Sequence, residues 1–204
     1  MPSIHSNIEN SIKRYKRGEL VFPVDFRGKG NHDAVKKTLS RLAQEGILRR
    51  LGHGIYVLPK KDPIFGEILP SAEQVAISLA KKDQVRIKPA GAHALHKLGL
   101  SMQVPTKLVY LTDGTAREIK IGKNIIKFKA TTPKKLSLKG TYSSLIILAL
   151  EELGLDNIDE AMERRLKELL KLENAQTLNQ DLKKATVQVA EYITKLIIAD
   201  DPVA

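Results

Sequence analysis

The spacing of apolar residues predicts a succession of short elements over the first thirty positions. Isoleucine recurs at every fourth position from Ile4 to Ile12, behind Ser3, so a short N-capped helix is predicted there. Residues 20–22 are apolar and read as a very short strand. Pro23 is well placed to begin one further helical turn through residue 26.

A longer amphipathic helix is predicted from Asn31 to Glu45, with Val35, Leu39 and Leu42 on its apolar face. Residues 47–58 then form two short apolar stretches around Gly52-His53-Gly54, which predicts a β-hairpin. The order helix, short strand, short helix, longer helix and hairpin is that of a winged helix-turn-helix. We therefore predict this module in residues 1–61.

The rest of the chain mixes strands and helices before it becomes helical. Residues 60–63 (Lys-Lys-Asp-Pro) suggest a linker, and a capping box at 71–74 opens the next helix. After Gly140 three amphipathic helices are predicted. The expected fold class is α+β: an N-terminal winged helix-turn-helix followed by a mixed α/β domain over 62–204 with C-terminal helices.

The charge is unevenly distributed along the chain. Residues 1–61 carry 13 Lys and Arg against 5 Asp and Glu, and residues 62–140 carry 14 against 6. Residues 141–204 reverse the balance, with 7 against 12. The basic part suggests a polyanionic partner. The acidic helical part either completes the core or provides a protein-binding surface.

Composition and motifs argue against catalysis and against a metal site. The chain has no cysteine, so disulfides and thiolate chemistry are excluded. It has no phosphate-binding loop, no Gly-x-Ser-x-Gly turn and no evident set of nucleophile, base and orienting acid. His93 and His96 lie three positions apart on a predicted helix, but no further ligand accompanies them. We expect a non-enzyme without metal or cofactor.

No membrane association is expected from the sequence. The N-terminus lacks the basic and apolar regions of a signal peptide. The longest apolar run, residues 145–150, is far below the roughly 20 residues that a bilayer span requires. A cytoplasmic protein is therefore the expectation.

Eight side chains of the predicted winged helix are candidates for DNA contact. On the longer helix, Lys37, Ser40 and Arg41 are expected to face bases, with His32 and Lys36 nearer phosphates. In the hairpin, the candidates for phosphate or minor-groove contact are Arg49, Arg50 and His53. Only five Tyr and four Phe are present, and they are scattered. Because RNA and single strands are usually bound by stacking of bases on aromatic side chains, this scarcity of aromatic residues favours double-stranded DNA as the partner.

Several segments together resemble the AbiEi-like antitoxins of bacterial type IV toxin–antitoxin systems, in a branch of uncharacterised proteins. The resemblance spans about residues 8–135, and the final seventy or so residues carry no matching motif. The segments that carry it are RGELVFPVDF (17–26), AVKKTLSRL (34–42), GILRRLGHGIY (46–56), PAGAHAL (89–95), QVP (103–105) and YLTDG (110–114).

The resemblance implies a winged helix that represses its own operon at inverted repeats. It also implies a C-terminal domain that counteracts a nucleotidyltransferase-like toxin encoded beside it. The chain lacks the toxin's Gly-Ser and carboxylate pattern, which identifies it with the antitoxin partner. Two alternatives remain open at this point: a stand-alone winged-helix regulator without a toxin, and a protein-binding adaptor.

Overall fold

The computed structural model describes residues 3–198 and has a mixed α+β fold, which confirms the predicted α+β class. The chain forms two compact units. The first runs to Leu79 and also contains Ile119–Asn124, whereas the second contains Ala80–Glu118 and the described residues from Ile125 onward. The sequence had suggested a boundary at residue 61.

The first unit begins with the succession of elements that the apolar pattern predicts. Its elements are α1 (Ile4–Ile12), β1 (Leu20–Val21), a 3-10 helix (Pro23–Phe26), α2 (His32–Gln44), β2 (Arg49–Gly52) and β3 (Ile55–Val57). The three strands form an antiparallel sheet in the order β1-β3-β2.

Side-chain caps fix where these helices begin. The Ser3 hydroxyl accepts a hydrogen bond from the Ser6 N–H at 3.2 Å, as the predicted N-cap requires. The Asn31 side chain accepts one from the Ala34 N–H at 2.8 Å at the start of α2. Both caps satisfy amides that the first helical turn leaves without a backbone partner.

One apolar cluster holds α1, α2 and the sheet together. Its buried members are Ile8, Ile12, Val21, Phe26, Val35, Leu39, Leu42, Leu48, Tyr56 and Leu58. Full burial of one such aliphatic side chain contributes about 1.5–3 kcal/mol relative to exposure. The face of α2 that carries Val35, Leu39 and Leu42 is therefore committed to this core, and its opposite face is left to solvent.

The predicted linker at residues 60–63 is wrong, because this segment is part of a second hairpin. Strand β4 (Lys60–Asp62) pairs antiparallel with β5 (Gly66–Ile68). The Asp62 carboxylate accepts hydrogen bonds from the N–H groups of Ile64 and Phe65 at 2.9 and 3.0 Å, so it organises the turn. Helix α3 (Ala72–Asp83) follows. The predicted capping box is present, with Ser71 and Gln74 bonded reciprocally.

The second unit contains most of a four-stranded sheet and a group of helices. Its sheet has the order β6-β7-β9-β8, with β6 antiparallel and β9 parallel to β7. The elements from residue 87 onward, of which Ile119–Asn124 belongs to the first unit, are β6 (Ile87–Ala90), α4 (Gly91–Leu98), β7 (Lys107–Thr112), β8 (Arg117–Ile121), β9 (Asn124–Ala130), α5 (Pro133–Leu136), α6 (Ser143–Leu153), a 3-10 helix (Leu155–Asn157), α7 (Glu160–Lys171), α8 (Ala175–Leu182) and α9 (Val187–Ile198).

The third helix predicted after Gly140 is two helices in the structure, α8 and α9. Helix α8 begins at the Asn174 cap, whose side chain accepts from the Thr177 N–H at 3.0 Å. The apolar spacing of Leu182 and Val189 runs across the break between the two helices, so periodicity alone joined them. None of the helices within residues 3–198 is long and apolar enough to cross a membrane.

Candidate nucleic-acid interface

The solvent face of α2 brings together the three side chains expected to contact bases. Lys37 and Arg41 are exposed and four residues apart, so they lie on the same face of the helix. Ser40 lies between them and is half-buried. His32 and Lys36, expected nearer phosphates, are exposed in the first part of the helix. The five candidates on α2 thus remain accessible from solvent.

The cationic groups on this face have no acidic partner within the described chain. Over residues 3–198, Lys36, Lys37 and Arg41 form no ion pair. Asp33 lies four positions before Lys37 on the same helix, but the two side chains form no ion pair. Exposed cations without an internal partner can exchange their counterions for the oxygens of an external polyanion.

The β2–β3 hairpin presents both of its arginines to solvent. Strict alternation along a strand would turn one of two neighbouring side chains inward. Here Arg49 and Arg50 are both exposed on β2, an edge strand of the sheet whose pairing with β3 shifts just after them, between Arg50 and Gly52. His53 is exposed at the tip, and Gly54 follows it with φ +67°.

The two arginines differ in what they already bind. The Arg49 Nε lies 3.0 Å from the Glu67 Oε2 on β5, so its charge is partly compensated. The Arg50 Nε donates to the Gly52 carbonyl at 3.3 Å, a contact that leaves its charge unopposed. Arg50 is therefore the stronger of the two candidates for a phosphate contact.

Sequence reasoning missed four basic residues of the first unit. Arg27 is exposed in the loop before α2, and Lys29 in the same loop donates to the Ser11 hydroxyl. Gly28 and Gly30 alternate with these two residues and indicate a turn just before α2. Basic residues in such a turn could have been predicted to contact phosphates. Lys120 and Lys123 are exposed in Ile119–Asn124. No sequence pattern connects that distant segment with the first unit.

The two histidines of α4, His93 and His96, have a spacing that could suit a metal ion. His93 is only 2% exposed and packs edge-on against Tyr110, with ring centroids 5.0 Å apart. Within residues 3–198 no cluster of three His, Asp or Glu side chains could hold a metal ion. His93 therefore belongs to the packed interior, while His96 is half-buried on the same helix.

Two carboxylates bind the amides that precede and begin α6. Asp181 is fully buried and accepts from the N–H groups of Lys139 and Gly140 and from the Ser143 hydroxyl. Glu173 accepts from the N–H groups of Tyr142 and Ser143 at 2.7 and 3.0 Å. Burial raises the pKa of Asp181, but these hydrogen bonds outweigh it and the pKa is lowered. Ser143 is itself buried. Because the two carboxylates accept from amides at the N-terminus of α6, this cluster has the features of a helix cap.

The chain belongs to DUF6088, a family of unknown function whose model matches residues 7–178. The match runs from α1 into α8, so the family pattern includes residues of both units. No curated protein matches the chain.

Proposed function

We propose that this member of DUF6088 is a repressor that binds double-stranded DNA through a winged helix-turn-helix in its first unit. The observation that carries the proposal is the solvent face of α2. There the exposed Lys37 and Arg41 lie beside the half-buried Ser40, and the two cations have no acidic partner within residues 3–198. This combination of hydrogen-bond donors and free charge suits base edges and phosphates.

The order of elements supports the same proposal. The 3-10 helix, α2 and the β2–β3 hairpin follow one another in the order expected for the two helices and the wing of a winged helix-turn-helix. The strand order β1-β3-β2 places β1, from before the helix pair, beside the hairpin. Helix α2 has 13 residues, a length of about 20 Å, enough to lie in a major groove.

The distribution of charge supports a duplex as the partner. The region that contains α2 and the wing has 13 basic residues against 5 acidic ones. Neutralised phosphates release their counterions, so affinity for any duplex should fall steeply as salt rises. A protein-binding adaptor, the alternative from a different functional class, would lack this dependence on phosphate charge.

The antitoxin role is a further part of the proposal and rests on the motif resemblance in residues 8–135. The repressor would act at inverted repeats upstream of its own gene, and the second unit would counteract a nucleotidyltransferase-like toxin. The remaining alternative is a stand-alone regulator with the same DNA-binding unit. A neighbouring nucleotidyltransferase-like gene, and rescue of growth when both genes are expressed together, would separate the two.

The decisive experiment is a gel shift with the full chain on the duplex upstream of its own gene, at several salt concentrations. We expect saturable binding, preference over a shuffled duplex and over either single strand, and a linear fall of log K with log salt. Arg164→Ala, an exposed arginine on α7 without a partner in residues 3–198, controls for loss of one charge. Equal affinity for duplex and single strand, or no binding at all, would refute the proposal.

A further inference from the structure

The turn of the β8–β9 hairpin lies against the β2–β3 hairpin within the first unit. A Cβ atom placed on Gly52 would stand 2.7 Å from the carbonyl oxygen of Lys120 and 3.1 Å from the Cδ1 of Ile121. Such distances leave no space for a side chain, so only glycine at position 52 permits this approach. Ile119–Asn124 is therefore a direct neighbour of the wing.

An open cleft of about 400 Å³ lies between these two turns. Its lining residues are Arg50, Leu51, Gly52, His53, Lys120 and Gly122. None of them is acidic, and two of them are cationic. Lys120 forms no ion pair within residues 3–198, and the Arg50 guanidinium makes a single bond, to the Gly52 carbonyl, through its Nε. The terminal amino groups of Arg50 remain available to a ligand.

We propose that this cleft binds a phosphate group of the DNA backbone, so that the β8–β9 turn acts as a second wing; this rests on the function proposed above. An arginine fork can hold two phosphate oxygens at once, and a lysine adds a point charge. The imidazole of His53 supplies a further N–H donor. The volume lies in the lower part of the range of known ligand sites, sufficient for one phosphodiester with an adjoining sugar.

Lys123 provides a matched comparison for Lys120. Both lysines are exposed and lie in Ile119–Asn124, but only Lys120 lines the cleft. A general electrostatic effect of the turn would depend on both charges alike, whereas a phosphate held in the cleft depends on Lys120. Gly52→Ala adds a third, charge-neutral change, because its methyl group must displace the Lys120 backbone.

The test is the salt dependence of binding to a mixed-sequence duplex of about three helical turns. For Lys120→Ala we expect the slope of log K against log salt to fall by about 0.9, the loss of one phosphate contact, with little change for Lys123→Ala. Gly52→Ala should also weaken binding while circular dichroism shows the folded state retained. Equal slopes for Lys120→Ala and Lys123→Ala, or an unchanged slope for Lys120→Ala, would overturn the proposal.

A second arm separates the backbone phosphate from free phosphate. The thermal midpoint of the wild type is measured in inorganic phosphate and in chloride of equal ionic strength. Suppose that phosphate raises the thermal midpoint of the wild type and of Lys123→Ala but not that of Lys120→Ala, and that the duplex does not bind. The cleft is then a site for a free anion. That result would overturn both proposals. If the duplex binds but the Lys120→Ala slope equals that of the wild type, only the cleft proposal fails.

Discussion

Arg41 is the residue of α2 that tests base recognition most directly, because its planar guanidinium can bond to two acceptors of a guanine at once. We predict that Arg41→Ala weakens binding to the preferred duplex by about 1–3 kcal/mol and narrows the gap between preferred and shuffled sequences. Competition gel shifts with both duplexes measure the two effects. The side chain is exposed, so the variant should fold normally.

The control for Arg41→Ala is Arg164→Ala, which removes the same charge from α7. Lys37→Ala, on the same face as Arg41, should reduce affinity in the same direction. If folded Arg41→Ala and Lys37→Ala proteins keep the affinity and sequence preference of the wild type, α2 does not lie in the groove as proposed.

The two arginines of the wing should contribute unequally to phosphate binding. We predict that Arg50→Ala lowers the salt slope by about one unit, as expected for one lost phosphate contact, and that Arg49→Ala lowers it less. The physical reason is that Arg49 is already paired with Glu67 at 3.0 Å. Salt titrations of the two single variants and the double variant provide the comparison. A double variant with unaltered slope would mean that the wing points away from DNA.

At the residue scale, the sequence predicts which side chains of α2 are exposed, but it does not predict which side chains form ion pairs. Exposure of Lys37 and Arg41 follows from their position opposite Val35 and Leu39, a periodicity that any helix imposes. The pair between Arg49 and Glu67 depends on the β4–β5 hairpin, and the first residues of that hairpin, 60–63, have the composition of a linker. A local pattern predicts which face of an element is exposed to solvent. It does not predict which later strand packs beside that element.

At the scale of elements, the start of α6 depends on a carboxylate supplied by α8. We predict that Asp181→Asn lowers the free energy of unfolding by about 1–3 kcal/mol, since an amide cannot accept from all the donors that Asp181 serves. Chemical denaturation near neutral pH measures this loss. Asp156→Asn, an exposed aspartate in the 3-10 helix after α6, should leave stability unchanged.

The difference in stability between the wild type and Asp181→Asn should depend on pH. The pKa of folded Asp181 is lowered, so its contribution is fully present above the ordinary aspartate value of 3.8 and is lost as pH falls through the folded pKa. The wild type should therefore lose its advantage over Asp181→Asn below about pH 4. A stability difference that is the same at pH 3 and pH 7 would show that the charge of Asp181 is not what stabilises the cap.

Elements with a local signal were predictable, and those defined by distant contacts were not. The Ser3 and Asn31 caps, the Ser71 capping box and the β2–β3 hairpin each carry their own short-range chemistry. Strand β4 consists of Lys60 to Asp62, residue types that are depleted in strands, and Asp62 organises the turn that returns the chain as β5. The break between α8 and α9 carries neither glycine nor proline.

For the whole molecule, the boundary that the sequence suggests at residue 61 can be tested with fragments, whereas the first compact unit extends to Leu79 and includes Ile119–Asn124. All members of the apolar cluster from Ile8 to Leu58 lie within residues 1–61, so this fragment should fold marginally and bind DNA weakly. The sequence predicts that residues 62–204 fold separately and carry any activity against a toxin, but this cut separates Lys60 and Lys61 from their partners on β5 and Ile119–Asn124 from the rest of the first unit. Circular dichroism, gel shifts and growth rescue check these expectations. If only the intact chain folds, or if rescue requires the first sixty residues, the two-module prediction fails.

The segment Ile119–Asn124 ties completion of the first unit to the progress of translation. Helix α2 and the wing leave the ribosome first, but the residues that complete their unit follow only after β6, α4 and β7 have been made. A nascent chain would thus acquire α2, the proposed recognition helix, before Lys120, the residue proposed to hold a backbone phosphate. Premature termination between residues 80 and 118 would release a polypeptide that retains α2 and lacks Lys120. Under the function proposed above, such a product would compete only weakly with the full chain for its DNA site.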